Sequence, residues 1–227
     1  MATLGQGKKF LGLIEEKSDD DLQKLLGSGL LTDLLDCPNP DLVDREAFQK
    51  VLAMVVPKQE SLLAFAGTVS ISARTGKFIA RGNFIVDTGK KAKVKISYLG
   101  DTFKKNFLDK MEEPIGEIKL RYHKLRRSCS VNDLILAELG GKEKAETTLT
   151  EMFALMELQP NGENGTLLTN CYANIFYIRD INGVLRAVGC RWYDGGWVVR
   201  AFYVEGPPVW DGTSQVFSRR NSSETKN

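Results

Sequence analysis

The amino-acid sequence predicts an α+β protein, in which a small helical N-terminal module precedes a mainly antiparallel sheet domain with inserted helices. Three observations predict this class. The chain has 227 residues, of which 42% are hydrophobic and 26% charged, enough apolar material for a core of ordinary size. Apolar residues recur at helical spacing through the first 60 residues. From Ser61 the apolar period shortens to two, the period of a half-buried strand.

These patterns divide the chain into three parts: a helical module over residues 1–60, a sheet domain over 61–220 and a disordered tail over 221–227. In the module, glycine and proline separate three short apolar stripes, each predicting one helix. The tail is polar and offers almost no apolar surface to bury, which predicts disorder.

Alternation predicts the strands of the sheet domain. The clearest strand is 91–98, so its apolar residues are expected to be buried and its lysines exposed. The apolar set is Ala92, Val94, Ile96 and Tyr98, and the lysines are Lys91, Lys93 and Lys95. A second such strand is predicted over 117–125. Three more, near 172–179, 184–193 and 197–204, form a meander joined by tight glycine-containing turns.

Two helical regions interrupt these strands. Asp101 is expected to cap a short helix that ends near residue 109. The region 130–158 is predicted to hold two helices, with Gly140-Gly141 ending the first. Ser130 and Asp133 have capping-box spacing at its start.

Most catalytic and metal-binding motifs are absent from the sequence. His123 is the only histidine, which excludes multi-histidine metal sites. Neither a GxSxG motif nor a P-loop occurs. The cysteines form no CxxC pair and are expected to be small buried residues; they are Cys37, Cys129, Cys171 and Cys190. No catalytic residue, metal or cofactor is assigned, although a Cys-His pair or a pair of carboxylates remains open.

Positive charge is concentrated in the middle of the chain. Residues 61–130 carry 15 Lys and Arg against 6 Asp and Glu, whereas acidic residues are in excess on both sides. Two predicted strands supply the candidate nucleic-acid-binding residues, which are Lys91, Lys93, Lys95, Lys119 and Arg121. On one side of one sheet they would form a surface that neutralises the phosphates of RNA or DNA. The alternative is that these residues are solvent-facing and keep the sheet soluble.

An aromatic cluster around the last hairpin is a second candidate surface. Trp192 and Trp197 could stack on sugars or bases there. The alternative is that both rings pack within the sheet as cross-strand aromatic contacts.

Several segments resemble a group of uncharacterised bacterial proteins known mainly from environmental genome sequence. The segments are 29–35, 94–101, 137–141, 145–149, 173–197 and 215–219. The resemblance implies a bacterial cytoplasmic setting. It implies no activity, so no functional residue is carried over from the group.

The sequence therefore leads to three functional hypotheses. The first is a soluble, non-enzymatic binding or interaction protein, because no catalytic set is visible. The second is RNA binding through the basic sheet face. The third is an enzyme with an unrecognised carboxylate or Cys-His site. A membrane partner is not expected, since no stretch approaches the roughly 18 apolar residues of a membrane span.

Overall fold

The structure, a computed structural model, describes residues 61–206 and 209–219, together with the isolated positions 27, 29, 32, 36 and 46. The chain divides into two units, residues 1–59 and 60–227. The predicted helices of the N-terminal module and the predicted disordered tail lie outside the described residues. The fold described below is that of the second unit.

Ten strands and five helices occur within the described residues, which confirms the α+β class. The strands are β1 (Leu63–Ile71), β2 (Phe78–Ile79), β3 (Ile96–Leu99), β4 (Met111–Glu112), β5 (Ile118–Leu125), β6 (Glu146–Thr147), β7 (Asn174–Arg179), β8 (Leu185–Tyr193), β9 (Gly196–Tyr203) and β10 (Gln215–Arg219). The helices are α1 (Ala80–Asn83), α2 (Asp101–Phe107), α3 (Asn132–Glu138), α4 (Lys142–Ala145) and α5 (Leu149–Glu157).

Eight strands form one mixed sheet in the order β1-β5-β10-β7-β8-β9-β3, with the short β6 also paired to β7. The β10–β7, β6–β7 and β9–β3 pairs are parallel, and the other pairs of this sheet are antiparallel. Strands β2 and β4 form a separate antiparallel pair. The last described strand, β10, thus lies inside the sheet, between β5 and β7.

An apolar cluster covers each face of the sheet. On the first face, strand residues such as Phe176 pack with α1, α2 and α5, whose Phe153 is buried. On the second face, Tyr177 packs with α3, α4 and Trp210. Neighbouring residues of a strand point to opposite faces, so Phe176 and Tyr177 belong to different clusters.

The predicted meander of β7, β8 and β9 is present, and both its hairpins are antiparallel. Its turns use the backbone conformations that their residues favour. Gly183 has a φ of 77°, and the β8–β9 turn places Asp194 and Gly195 at 49° and 77°. Two successive residues with positive φ match the twist of the flanking strands, which favours this tight hairpin.

The predicted strand over 91–98 is only half right, because β3 begins at Ile96. Val94 and Ile96 are buried as expected, but Tyr98 is exposed and Leu99 is buried instead. The pairing with β9 shifts register between Ile96 and Tyr98. Such an irregularity adds a residue to one strand and reverses the alternation beyond it.

The helix starts also differ from the predicted caps. Asp101 is the first residue of α2 rather than its cap, and α3 begins at Asn132 after Val131; neither start has a side-chain cap. A capping box instead begins α5, where the Thr148 hydroxyl accepts from the Glu151 N–H at 3.2 Å. The Glu151 carboxylate accepts from the Thr148 N–H at 2.7 Å.

Replacing Thr148 by alanine is expected to lower the free energy of unfolding by about 1 kcal/mol, because a helix N–H loses its acceptor. Urea denaturation followed by circular dichroism measures this change. Thr148→Ser keeps the hydroxyl and should retain most of the stability. An equal loss in both variants would show that the threonine methyl, rather than the cap, stabilises this helix start.

Candidate functional site

The two predicted basic sets do not form one surface. The lysine set adjoins β3 and the other set lies on β5, with four strands between them. At about 4.8 Å for each of five steps, this separation is about 24 Å along the sheet. Leu120 belongs to the first-face cluster, so its neighbours Lys119 and Arg121 point to the second face. The contiguous basic face predicted from sequence is therefore wrong.

The lysine set itself lies beside helix α5 on the first-face side. The Lys93 Nζ is 2.5 Å from the Glu157 carboxylate and 5.6 Å from the centre of the Phe153 ring. Lys91 is exposed, whereas Lys95 is half-buried. Lys93 thus pairs with the last residue of α5, and the three lysines do not line one strand face.

Trp197 is buried and Trp192 is half-buried against it, so the two rings do not form the predicted aromatic surface. Trp197 has no solvent exposure, and its indole N–H donates to the Gln159 carbonyl at 3.1 Å. Trp192 packs edge-on against it, with ring centres 5.5 Å apart. Trp192 also covers Gly162, where any Cβ would lie 2.2 Å from the indole ring. These contacts match the packing alternative.

His123 lies in a polar cavity of about 280 Å³ on the second face, rather than in solvent. Its ring contacts Phe65 edge-on, with ring centres 5.5 Å apart. Burial, and then the charge of Arg121, lower the pKa of His123 despite the opposing charge of Glu138. No cysteine within the described part of the chain lines this cavity. The structure therefore forms no Cys-His pair from these residues.

The buried carboxylates of the described segments are committed to structural contacts. Glu112 accepts from the Leu149 and Thr150 N–H groups at the start of α5. Glu151 pairs with Arg219 at 2.9 Å, and burial raises the pKa of Glu151. Across residues 61–206 and 209–219, no group of three or more metal-ligating side chains occurs. Glu112 and Glu151 are therefore engaged in contacts within the protein.

A different surface combines charge with aromatic rings on the second face of β3, β9 and β8. Strand register places Tyr98 opposite Val198, and Val198 opposite Arg191, so these three residues form a row across the sheet. Arg200 is two residues beyond Val198 and Tyr193 two beyond Arg191, which places them on the same face. We call the set of Tyr98, Arg191, Tyr193 and Arg200 the tyrosine–arginine face.

Each arginine of this face lies over a tyrosine ring. The Arg200 guanidinium is 5.3 Å from the Tyr98 ring centre, and the Arg191 guanidinium is 5.7 Å from that of Tyr193. Both arginines are exposed, and the tyrosines are 41% and 54% exposed. Within the described residues, neither arginine has a carboxylate partner. The face therefore offers two uncompensated charges and two accessible rings.

A third cation, the ammonium group of Lys104, also lies near the Tyr98 ring. Its Nζ is 5.7 Å from the Tyr98 ring centre. The same Nζ forms an ion pair with the Asp101 carboxylate at 3.3 Å. The charge of Lys104 is thus partly compensated, unlike those of the two arginines. Asp101 itself is almost fully exposed, so this ion pair contributes little to stability.

A cavity of about 190 Å³ adjoins the tyrosine–arginine face, and both arginines line it. Its walls include Phe202 and Trp210, whose rings meet edge-on with centres 5.6 Å apart. The Trp210 indole N–H donates to Asn132 at 3.0 Å, which fixes the ring. The buried Ser214 also lines the cavity.

Two cysteines line the same cavity, and only one follows the sequence prediction. Cys190 is buried, as expected, and its burial raises the pKa of the thiol. Cys129, elsewhere in the second-face cluster, is also buried. Cys171 is exposed, with a φ of 69°, because it lies in the loop before β7 instead of in a strand. Cys37 lies outside the described residues.

Comparison of the chain with protein families, curated proteins and solved structures found no match. No helix in the described part of the chain is long and apolar enough to cross a membrane. A functional assignment therefore has to come from the geometry of the tyrosine–arginine face and its cavity.

Proposed function

We propose that this protein is a non-enzymatic binding protein that holds single-stranded nucleic acid on the tyrosine–arginine face. The observation that carries the proposal is the placement of two arginines, neither with a carboxylate partner among the described residues, over two exposed tyrosine rings. The bacterial cytoplasmic setting expected from the sequence belongs to the same proposal. The proposal revises the basic-face hypothesis, because it moves the binding site from β5 to the β8-β9-β3 end of the sheet.

The chemistry of this face fits the two repeating parts of a nucleic-acid strand. Guanidinium groups bind phosphate oxygens through paired N–H donors. Unpaired bases stack on aromatic rings and on guanidinium planes, which gives affinity without a strong sequence preference. A duplex hides its base faces, so the exposed rings of Tyr98 and Tyr193 favour a single strand.

A binding role also agrees with the hydrogen bonds that the buried carboxylates make. The buried carboxylates Glu112, Glu151 and Asp180 already accept hydrogen bonds from the protein. None of them lines the cavity beside the tyrosine–arginine face. The charged residues that line the cavity are Arg191 and Arg200, which bind anions, and the exposed Asp211.

The double variant Arg191→Ala/Arg200→Ala tests this proposal. Binding of a labelled single-stranded RNA, measured by fluorescence anisotropy at low salt, is expected to weaken at least about tenfold, because hydrogen bonds between charged groups are lost. The dependence of log affinity on log salt concentration should become shallower by about 1.4, since each neutralised phosphate of a single strand contributes about 0.7.

The matched control is Lys119→Ala/Lys124→Ala, which removes the same charge from exposed positions on β5. This control should bind RNA with nearly the affinity and salt dependence of the parent. Equal weakening in both double variants would attribute binding to overall charge and contradict a site on the tyrosine–arginine face. An absence of RNA binding by the parent at low salt would also contradict the proposal.

A further inference from the structure

We infer that the cavity beside the tyrosine–arginine face is a binding pocket for one nucleobase, and this inference rests on the proposed function for its biological ligand. The cavity is lined by the rings of Phe202 and Trp210 and opens beside Arg191 and Arg200. Ring walls favour a planar group, while the arginines favour an anion next to it. A nucleotide carries both parts in one molecule.

Ser214 supplies the most specific observation. The residue is 1% exposed, and its buried hydroxyl oxygen has no hydrogen-bond partner among residues 61–206 and 209–219. Its backbone is fully engaged, since its N–H donates to Asp211 and its carbonyl accepts from Leu125. A buried hydroxyl without a partner is unfavourable by about 1–3 kcal/mol, so such groups are uncommon. A hydroxyl both donates and accepts, so the edge of any base can satisfy it.

The charges around the cavity determine which part of a nucleotide enters. The Asp211 carboxylate lines the cavity, and it would repel a phosphate placed there. It would accept a hydrogen bond from an N–H group on the edge of a base. Arg191 and Arg200 also line the cavity, but both are exposed and their guanidinium groups lie over the Tyr193 and Tyr98 rings of the tyrosine–arginine face. The base therefore enters the cavity, and the phosphate stays at the arginines.

The size of the cavity supports a single base. Its volume is about 190 Å³, below the roughly 300–1,000 Å³ of pockets that enclose a whole drug-sized ligand. The remaining sugar and phosphate must lie outside, on the tyrosine–arginine face. The ligand chemistry is the same for a free nucleotide and for one nucleotide of a strand, so the experiment uses both.

The experiment compares adenosine 5′-monophosphate with ribose 5-phosphate, which has the phosphate but no base. Titrations of the full chain, followed by shifts of backbone amide NMR signals, give both affinities. We expect the nucleotide to bind at least about tenfold more tightly, because its base adds stacking contacts that ribose 5-phosphate cannot make. Ser214→Ala should weaken nucleotide binding roughly 2- to 10-fold, as expected for a neutral hydrogen bond.

Ser214→Ala separates a ligand-binding role from a structural one. Because its hydroxyl bonds to no group in the described part of the chain, its removal should leave the melting temperature unchanged or higher. Ribose 5-phosphate binding should also be unchanged. A second variant, Ala173→Leu, enlarges a half-buried side chain that lines the cavity. It should abolish the preference for the nucleotide while leaving ribose 5-phosphate binding in place.

The outcomes distinguish this inference from the proposed function. Equal affinities for adenosine 5′-monophosphate and ribose 5-phosphate would overturn the base pocket even if RNA still binds. Unchanged nucleotide binding in folded Ser214→Ala and Ala173→Leu would overturn it as well. Weaker nucleotide binding in Ser214→Ala and loss of the nucleotide preference in Ala173→Leu, together with RNA binding by the parent, would support a nucleotide of a strand. A parent protein that prefers the nucleotide to ribose 5-phosphate but does not bind RNA would support the pocket for a free nucleotide and overturn the proposed function.

Discussion

Replacing Asp180 by alanine is expected to lower the free energy of unfolding by about 3–5 kcal/mol, because it leaves a buried charge without its partner. The Asp180 side chain is fully buried, and one carboxylate oxygen accepts from the Arg186 Nε at 2.6 Å. The other oxygen accepts from the Asn182 and Val184 N–H groups of the β7–β8 turn. The variant therefore loses an ion pair and the hydrogen bonds that shape a hairpin. Urea denaturation at pH 7 measures the loss.

Asp101→Ala is the matched control for this prediction. Asp101 pairs with Lys104, but its side chain is 93% exposed, so solvent screens the pair. The expected change is within about 0.5 kcal/mol, as for most exposed substitutions. Similar losses from both aspartates would contradict the view that burial makes the Asp180 pair important.

The contribution of Asp180 to the free energy of unfolding also depends on pH. Burial alone would raise the pKa of Asp180, but hydrogen bonds from Arg186 and from the turn N–H groups outweigh it, so the pKa is lowered from 3.8. A carboxyl with a lowered pKa in the folded state stabilises the protein above its unfolded pKa. That contribution is lost as the pH falls through the folded pKa. The stability difference between the parent and Asp180→Ala should therefore narrow below about pH 4.

Trp197→Ala is expected to destabilise the protein by about 3–5 kcal/mol, the usual range for removing a large buried aromatic ring. The ring is completely buried in the first-face cluster, and its N–H satisfies the Gln159 carbonyl. The variant would leave a cavity under β9, and the Gln159 carbonyl would keep only the hydrogen bond that it accepts from the Gly162 N–H. Guanidinium denaturation, with the midpoint and slope fitted separately, shows whether the loss is one of stability alone.

Trp192→Ala is the natural comparison, because the two indoles touch but only Trp197 is fully buried. Its expected loss is less than half that of Trp197→Ala, since less apolar surface returns to solvent. Both side chains point to the first face, so RNA binding should persist in whatever fraction stays folded. A folded Trp192 variant that loses RNA binding would place the ligand on the wrong face for the proposal.

Sequence patterns that extend over a few residues predicted the strands whose formation depends on nearby residues of the chain. β5 and the meander combine alternation with turn residues, and both signals act over a few positions. β10 gave no such signal: Val216 and Phe217 are adjacent, and one is buried on each face of the sheet. A strand covered on both faces need not alternate in polarity, so the sequence pattern could not distinguish it from a loop.

The candidate site was less predictable, because it depends on strand order. Arg191 and Tyr193 lie on a correctly predicted strand, but their proximity to Tyr98 requires the parallel pairing of β3 with β9. Alternation also assigned Tyr98 to the core, and the register shift in β3 moved it to the surface. The missing hydrogen-bond partner of Ser214 is a property of packing, and no motif indicates it.

The central place of β10 has a consequence for how the sheet forms during synthesis. Gln215 of β10 pairs with Lys124 of β5 on one side and with Asn174 of β7 on the other. Until β10 leaves the ribosome, β5 with β1 and β7 with β8 and β9 are separate pieces; within the described residues the inner edge of β5 is then unpaired, and that of β7 is paired only with the short β6. Such edges recruit other strands, and contacts distant in sequence form slowly. A nascent chain stalled before residue 215 is therefore the species most exposed to aggregation and to capture by chaperones.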